Sequence, residues 1–387
     1  MNRTKFAAAA VAAAGMALLT SAPAQADDFS SASALLNDYN VIVLGNATEN
    51  SEVDGKVFIG GSLSGSGNFD THNVQSSAYP ALTVGGSLTA TNLNLNGAGG
   101  LIAGSGLSSV SFNNNGDGNI YVKGNISNVN LNIQNGMSVY ATGNLVSSSV
   151  NINNAGNNLY LGGTAQSSNV NVNGGAGYYK NSSVPASVVP NVGAETTEAT
   201  TTLTNYSTSL NRLTANNTVT DTHGTLNFDV TSTKNGVAVF DLNSNAASLL
   251  NNASQMQFTL NGAKEVIINV SGVNSTALDI KANFLGGIAT TLGTDTVWNF
   301  TDAKSITVGT QFGGDILATM ANLTTRGNVE GTVVAKSLVQ GAEIHYDGKQ
   351  SNLVSPVPLP GALPLMATAI GGLFGAGSWR RRRKQAR

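Results

Sequence analysis

The side chains able to do chemistry in this 387-residue sequence are few and far apart. There are three histidines, His72, His223 and His345, and no cysteine, so thiolate nucleophiles, thiolate metal sites and disulfides are excluded. Glu343 and His345 stand two residues apart, on one face if the segment is a strand. Such a pair could ligate a metal or exchange a proton; a hydrogen-bonded pair at the closing end of the fold is the simpler reading. His72 in Asp-Thr-His-Asn and His223 in Asp-Thr-His-Gly read as exposed turn residues. A solenoid enzyme acting on polysaccharide would draw on acids of the second half, such as Asp229, Asp241 and Glu265. Those acids do not cluster in the sequence and sit at strand ends. Residues 81–180 hold one acid, Asp117, and two bases, Lys123 and Lys180, which excludes a charged catalytic groove and calcium-binding nonapeptide repeats there. Trp298 alternates with Phe300 in Val-Trp-Asn-Phe and reads as core rather than as a sugar-stacking platform. No catalytic residue, cofactor or metal site is expected.

What would position any site is a repeat. Leu88, Leu107, Ile126, Leu145 and Ala165 hold equivalent places at steps of 19, 19, 19 and 20 residues. Around each, apolar residues alternate with polar ones, as in Ile120, Val122, Leu131 and Ile133. Each unit reads as two short strands joined by a bend near Gly86, Ser105, Gly124, Gly143 and Gly163. One unit cannot bury its own apolar side, but units coiled on one another pair every backbone with the rungs above and below. The expected fold is therefore mainly β: a parallel β-solenoid of about 19 residues per rung, with repeat rungs over 55–177. A β-sandwich would give no reason for columns at fixed steps.

The same register produces polar columns. Asn94, Asn113, Asn132, Asn151 and Asn171 lie six residues after each reference position, and Asn96, Asn115, Gln134, Asn153 and Asn173 eight after. Stacked one rung apart, such amides can bond along the coil as Asn ladders. Asn96-Gly97, Asn115-Gly116 and Asn173-Gly174 suit corners with positive φ. The ladder is either purely structural or a flat polar array for an ordered surface such as glycan or ice.

Beyond the prolines at 185 and 190, Ala199, Leu203, Tyr206, Leu210 and Leu213 follow helical spacing, so a long amphipathic helix is expected over 194–215. A β-rich closing part follows over 225–348. In it Gly331-Thr-Val333-Val-Ala335 parallels Gly55-Lys-Val57-Phe-Ile59, so the terminal segments are expected to extend or cap one coil.

The ends read as addresses. Residues 1–26 have a basic start, an Ala-rich apolar run and an Ala-x-Ala site, the pattern of a secretory signal cleaved between Ala26 and Asp27. Residues 356–387 hold a proline-rich break, a short apolar stretch from about Leu363 to Trp379, and the basic run Arg380, Arg381, Arg382, Arg383 and Lys384. The two ends contain eight of the 19 basic residues and none of the 21 acidic ones, so residues 27–355 carry a charge of about −10. Such a surface repels nucleic acid, which is not an expected partner.

Val357, Pro358, Leu359 and Pro360, followed by the apolar stretch and the basic run, resemble a PEP-CTERM sorting signal of the Val-Pro-Leu-Pro-Ala variety, with Gly361 in place of the usual Ala. That resemblance implies a Gram-negative bacterium, transient insertion of the C-terminal helix in the inner membrane, and an exosortase-type processing enzyme as partner. A permanent single-span anchor is the other reading. Over roughly 38–348, "YNVIVLGNATENSEVDGKVFIGGSL", "AVFDLN", "VIINVSG", "WNFTDAKSITV" and "GDILATMANLTTRGNVEGTVVAKSL" resemble the choice-of-anchor A domain. Ala318-Thr319-Met320 departs from the Ala-Pro common in relatives. The resemblance implies a non-catalytic adhesive or matrix protein of the cell surface, over 27–355, with extracellular polysaccharide or a cell-surface ligand as partner.

Overall fold

The computed structural model describes residues 24–72, 79–97, 99–116, 118–133, 137–184, 191–243 and 245–346, with side chains from 31 onward. The secretory segment before residue 24, Gln134, and the sorting segment with Val357–Pro360 and Arg380–Lys384 lie outside them. Ala26 and Asp27 fall in helix α1, Ala24–Asp38. No helix among the described residues is long and apolar enough to cross a membrane.

The repeat half is a parallel β-solenoid. Leu88, Leu107, Ile126, Leu145 and Ala165 are successive register partners on parallel strands. The first four are wholly buried, and Ala165 is half-buried beside the last rung. A rung contains three strands rather than two, for example Ile120–Val122, Ile126–Ser127 and Asn130–Ile133. The extra corner is made by Ser109, Asn128, Ser147 and Ser167, with φ of 56°, 54°, 48° and 49°. The corner is held by backbone bonds to the next rung: the N–H groups of Ser109, Asn128 and Ser147 donate to the carbonyls of Ser127, Val146 and Gln166 at 2.9, 3.0 and 3.0 Å. At the Asn-Gly corners, Gly97 and Gly174 have positive φ, but Gly116 does not. The bend between first and second strands is held by another asparagine column: Asn125 Oδ1 accepts the Asn144 N–H at 2.8 Å, and Asn144 Oδ1 accepts that of Thr164 at 2.9 Å. A Cβ on Gly143 or Gly163 would collide with these amides, which is why the bends are glycine.

The chain enters the coil in its middle. Val41–Val43 pairs in parallel with Val57–Ile59 on one side and with Val333–Ala335 on the other. From there the repeat half builds away to Gly177–Tyr179. Helix α2, Val192–Asn211, then packs along the outside of the first face, and the second half starts at the opposite end. It climbs through Val237–Leu242, Glu265–Val270, Thr296–Phe300 and Asp315–Thr325 to Val333–Gln340, each parallel to the last. The two sequence echoes, Val57 and Val333, therefore flank Val41 in one continuous sheet.

Helix α2 begins at Val192 and stops at Asn211, short of the expected 215. Asn191 caps it by accepting the Ala194 N–H at 3.3 Å. Its end is dictated by Asn216 and Asn217: Asn217 Oδ1 accepts the N–H groups of Thr231 and Ser232 at 2.8 and 3.0 Å, pulling the chain into the sheet. Val192, Ala199, Leu203, Tyr206 and Leu210 form its buried stripe. Beneath them Asn299 Nδ2 donates to the Ser207 carbonyl and to Asn269 Oδ1, each at 2.9 Å, so the polar residues under the helix are bonded to it. Many of its Thr residues are accommodated by bonding the carbonyl four residues back, as Thr196 does to Val192 and Thr200 to Thr196, both at 2.7 Å.

Candidate binding face

The third strand of each rung forms a face whose alternate residues point outward. Leu93, Phe112, Leu131 and Val150 point into the core. Between them stand two outer columns: Asn92, Ser111, Asn130, Ser149 and Asn169, then Asn94, Asn113, Asn132, Asn151 and Asn171. In the second column Asn113 Nδ2 donates to Asn94 Oδ1 at 2.9 Å, Asn151 to Asn132 at 3.1 Å and Asn171 to Asn151 at 2.9 Å. The column reaches one rung further than the repeat spacing indicates, since Asn94 donates to Asn68 Oδ1 at 2.7 Å. At the corner, Asn115 donates to Asn96 at 2.8 Å and Asn173 to Asn153 at 3.1 Å. Asn94 and Asn151 each spend one N–H and one oxygen lone pair along the column, the amides at the ends of the two runs spend only one of these, and all keep the rest for an outside partner. The face is thus an array of oriented donors and acceptors at rung spacing, with no net charge.

The first face offers something different. Tyr121, Tyr140, Tyr160 and Tyr179 stack outside it, with ring centroids 5.3, 4.9 and 4.8 Å apart and planes within 12° of parallel. Their spacing of 19, 20 and 19 residues was visible in the sequence, though hidden among the apolar alternation. Because the rings cover one another, their faces are not free to stack on sugars except at the Tyr179 end. Further along, Ile42, Phe58 and Ile102 occupy the same outward position and are buried. Helices α1 and α2 border a cavity of about 290 Å³ over Ile42 and Phe58, lined also by Asp38, Tyr39, Tyr79, Glu195 and Glu198. Burial holds the Asp38 and Glu195 carboxyls above the usual range, the neighbouring Glu198 charge adding to the effect at Glu195.

The candidate chemical residues are dispersed. Asp229 ends a strand of a separate four-stranded sheet, Asp241 accepts from Asn269 Nδ2 at 3.2 Å, and Glu265 is buried close to Tyr206. The structure does not gather them into one site. Trp298 is fully buried among Phe228 and Phe312, its Nε1 donating to the Gly313 carbonyl at 3.1 Å. His223 occupies an exposed turn with φ of 54°. Glu343 and His345 do meet, with Nε2 3.0 Å from Glu343 Oε2, and Nδ1 lies 2.9 Å from Glu330 Oε2. Glu330 is the member that the sequence did not reveal. Burial alone would lower the His345 pKa, but hydrogen bonds to Glu330 and Glu343, with the charges of Glu330 and Asp54, raise it overall. With a carboxylate oxygen at each ring nitrogen, His345 ties Glu330 and Glu343 together near the join of the two halves.

The fold is a parallel β-solenoid whose third strands carry outward columns of amide and hydroxyl side chains over the repeat rungs. The family described as "Putative Ice-binding-like adhesive domain" matches residues 32–136 and 117–346, and this chain belongs to it. No curated protein matches. Among solved structures, an ice binding protein from an Antarctic bacterium, Flavobacteriaceae, is similar at 11% identity over 81% of this chain and 97% of that chain, with a TM-score of 0.17.

Proposed function

We propose that this protein is an exported, surface-displayed, non-catalytic adhesive or matrix protein that grips extracellular polysaccharide or a cell-surface glycan through the third face. The observation carrying this reading is the bonded amide column from Asn68 to Asn113 and from Asn132 to Asn171. Its adhesive family supports the same role. Amides already fixed by one another lose little further freedom when a ligand arrives, but each outward hydrogen bond replaces one to water and gains little. Monovalent binding is therefore weak, and retention comes from many copies acting together.

The expected result is that residues 27–355 clustered on beads hold cells or matrix glycan, whereas the same fragment free in solution does not compete at micromolar concentration. Turnover of polysaccharide by the purified protein would reject the non-catalytic role. The family description and the regular spacing of the face favour one second ligand, ice. Inhibition of ice recrystallisation by the unclustered fragment, without glycan retention, would move the assignment there.

Delivery belongs to the same proposal. The choice-of-anchor A resemblance, the Ala26–Asp27 cleavage site and the Val357–Pro360 motif fit export followed by exosortase-type processing after transient inner-membrane insertion. Intact mass of the surface-released protein is expected to show a start at Asp27 and loss of the chain from near Pro360. A released species still carrying Arg380–Lys384 would replace sorting by a lasting anchor.

A further inference from the structure

On the third face the neutral amide column changes character where the two halves of the coil meet. Val53 pairs with Ile344 on one side and Phe69 on the other, and Glu52 pairs with Asn68. Glu343, immediately before Ile344, therefore occupies the rung next to Glu52 in the column that continues as Asn68 and Asn94. Two carboxylates on adjacent strands repel. Glu343 is compensated by His345 and by Asn328 Nδ2, which donates to its Oε2 at 3.3 Å. Among the described residues, no hydrogen bond or ion pair engages the Glu52 carboxylate.

Glu52 instead faces a mixed donor set. Its carboxylate, that of Asp54 and a ring nitrogen of His72 all lie within 4.8 Å of one another. Asp54 is 7% exposed and held in place: its Oδ2 accepts the Tyr346 N–H at 3.1 Å, and its Oδ1 lies 2.8 Å from His72 Nδ1. His72 is exposed and Glu52 half-exposed, so both can adjust around the fixed carboxylate. Donors on one tetrahedral ion lie roughly 3–3.5 Å apart, so the His72 Nδ1–Asp54 Oδ1 pair, now 2.8 Å apart, would open slightly and the half-exposed Glu52 carboxylate would adjust to meet the ion.

We propose that Glu52, Asp54 and His72 bind one divalent cation of borderline softness, with Zn²⁺ the best match. One imidazole nitrogen and two carboxylate oxygens are a donor set that Zn²⁺ accepts and that Ca²⁺, which takes six to eight oxygens, does not. The ion would displace a proton from between His72 and Asp54, offset the Glu52–Glu343 repulsion and tie two neighbouring rungs at the join. Its remaining coordination position would open toward solvent on the third face. Nothing in this inference depends on the adhesive role, and its test is separate from any binding assay on glycan.

The test titrates the untagged 27–355 protein with ZnCl₂, and in parallel with CaCl₂, by calorimetry and by imidazole NMR. One Zn²⁺ per chain is expected, with the His72 resonances shifting, those of His223 unmoved, and a higher melting temperature. His72→Gln and Glu52→Gln should each weaken Zn²⁺ binding by at least about tenfold, whereas His223→Gln should leave it unchanged. Circular dichroism of the metal-free variants establishes that they are folded. Absence of saturable one-to-one binding would overturn the site. So would equal Zn²⁺ affinity in His72→Gln, or Ca²⁺ binding as tight as Zn²⁺.

Discussion

Ile126→Asp is expected to lower the melting temperature by roughly 6 °C or more, the fall that a loss of at least ~4 kcal/mol produces in a domain of this size. Ile126 is fully buried and sits between Leu107 and Leu145 in the inward column. A carboxylate there has no cation to meet and must either stay charged in an apolar core or take up a proton. The damage spreads, because each rung of a solenoid is stabilised mainly by its two neighbours. Ile126→Val, which removes one methylene and adds no charge, should cost only about 1 kcal/mol. Thermal unfolding of the two variants beside wild type checks both values. A melting temperature for Ile126→Asp within about 2 °C of wild type would remove Ile126 from the core.

The second large effect is a stability that falls as pH rises. Glu49 follows Thr48 at the end of a short strand, is 1% exposed, and neither of its oxygens has a hydrogen-bond partner among the described residues. Burial pushes its pKa up from 4.5 to about 8. The folded protein therefore binds a proton that the unfolded chain releases above about pH 4.5, and this advantage is lost as pH climbs to about 8. Asp70, also fully buried, acts in the same direction: burial raises its pKa from 3.8 to about 6 against the opposing Lys56 charge. His345, whose pKa is raised, contributes stability present below the unfolded value and lost as pH rises through the folded one. Wild type should melt several degrees higher at pH 5 than at pH 8. Glu49→Gln should flatten much of that slope, and Glu49→Met should raise the melting temperature at pH 8. A pH profile identical in Glu49→Gln and wild type would contradict this role for Glu49.

The inward column was legible because strand register locks side-chain spacing into the sequence: Leu88, Leu107, Ile126 and Leu145 must recur at the rung length to meet. The third strand per rung was not. Ile126–Ser127 is too short to show alternation, and the corner after it uses Ser or Asn in place of a tell-tale glycine. The likeness of 331–335 to 55–59 pointed to a shared coil, but Val41–Val43 between them could be found only from the pairing. Helix α2 was visible in its apolar stripe, while its end depends on Asn216 and Asn217 bonding strands far along the chain. Clusters built across rungs leave still less trace. Glu330, Glu343 and His345, or Glu52, Asp54 and His72, meet through register and corner geometry, and their spacing along the chain follows no motif.

Binding by the amide column is tested by replacing Asn94, Asn113, Asn132, Asn151 and Asn171 together by Ser and measuring retention of the bead-clustered protein on cells and matrix glycan. These side chains lie outside the core, so the variant should stay folded with a melting temperature only a few degrees lower. Its retention is expected to fall by at least about tenfold, because small losses at each rung multiply across a multivalent contact. Retention equal to wild type in a folded variant would rule out the amide column and place binding elsewhere on the molecule.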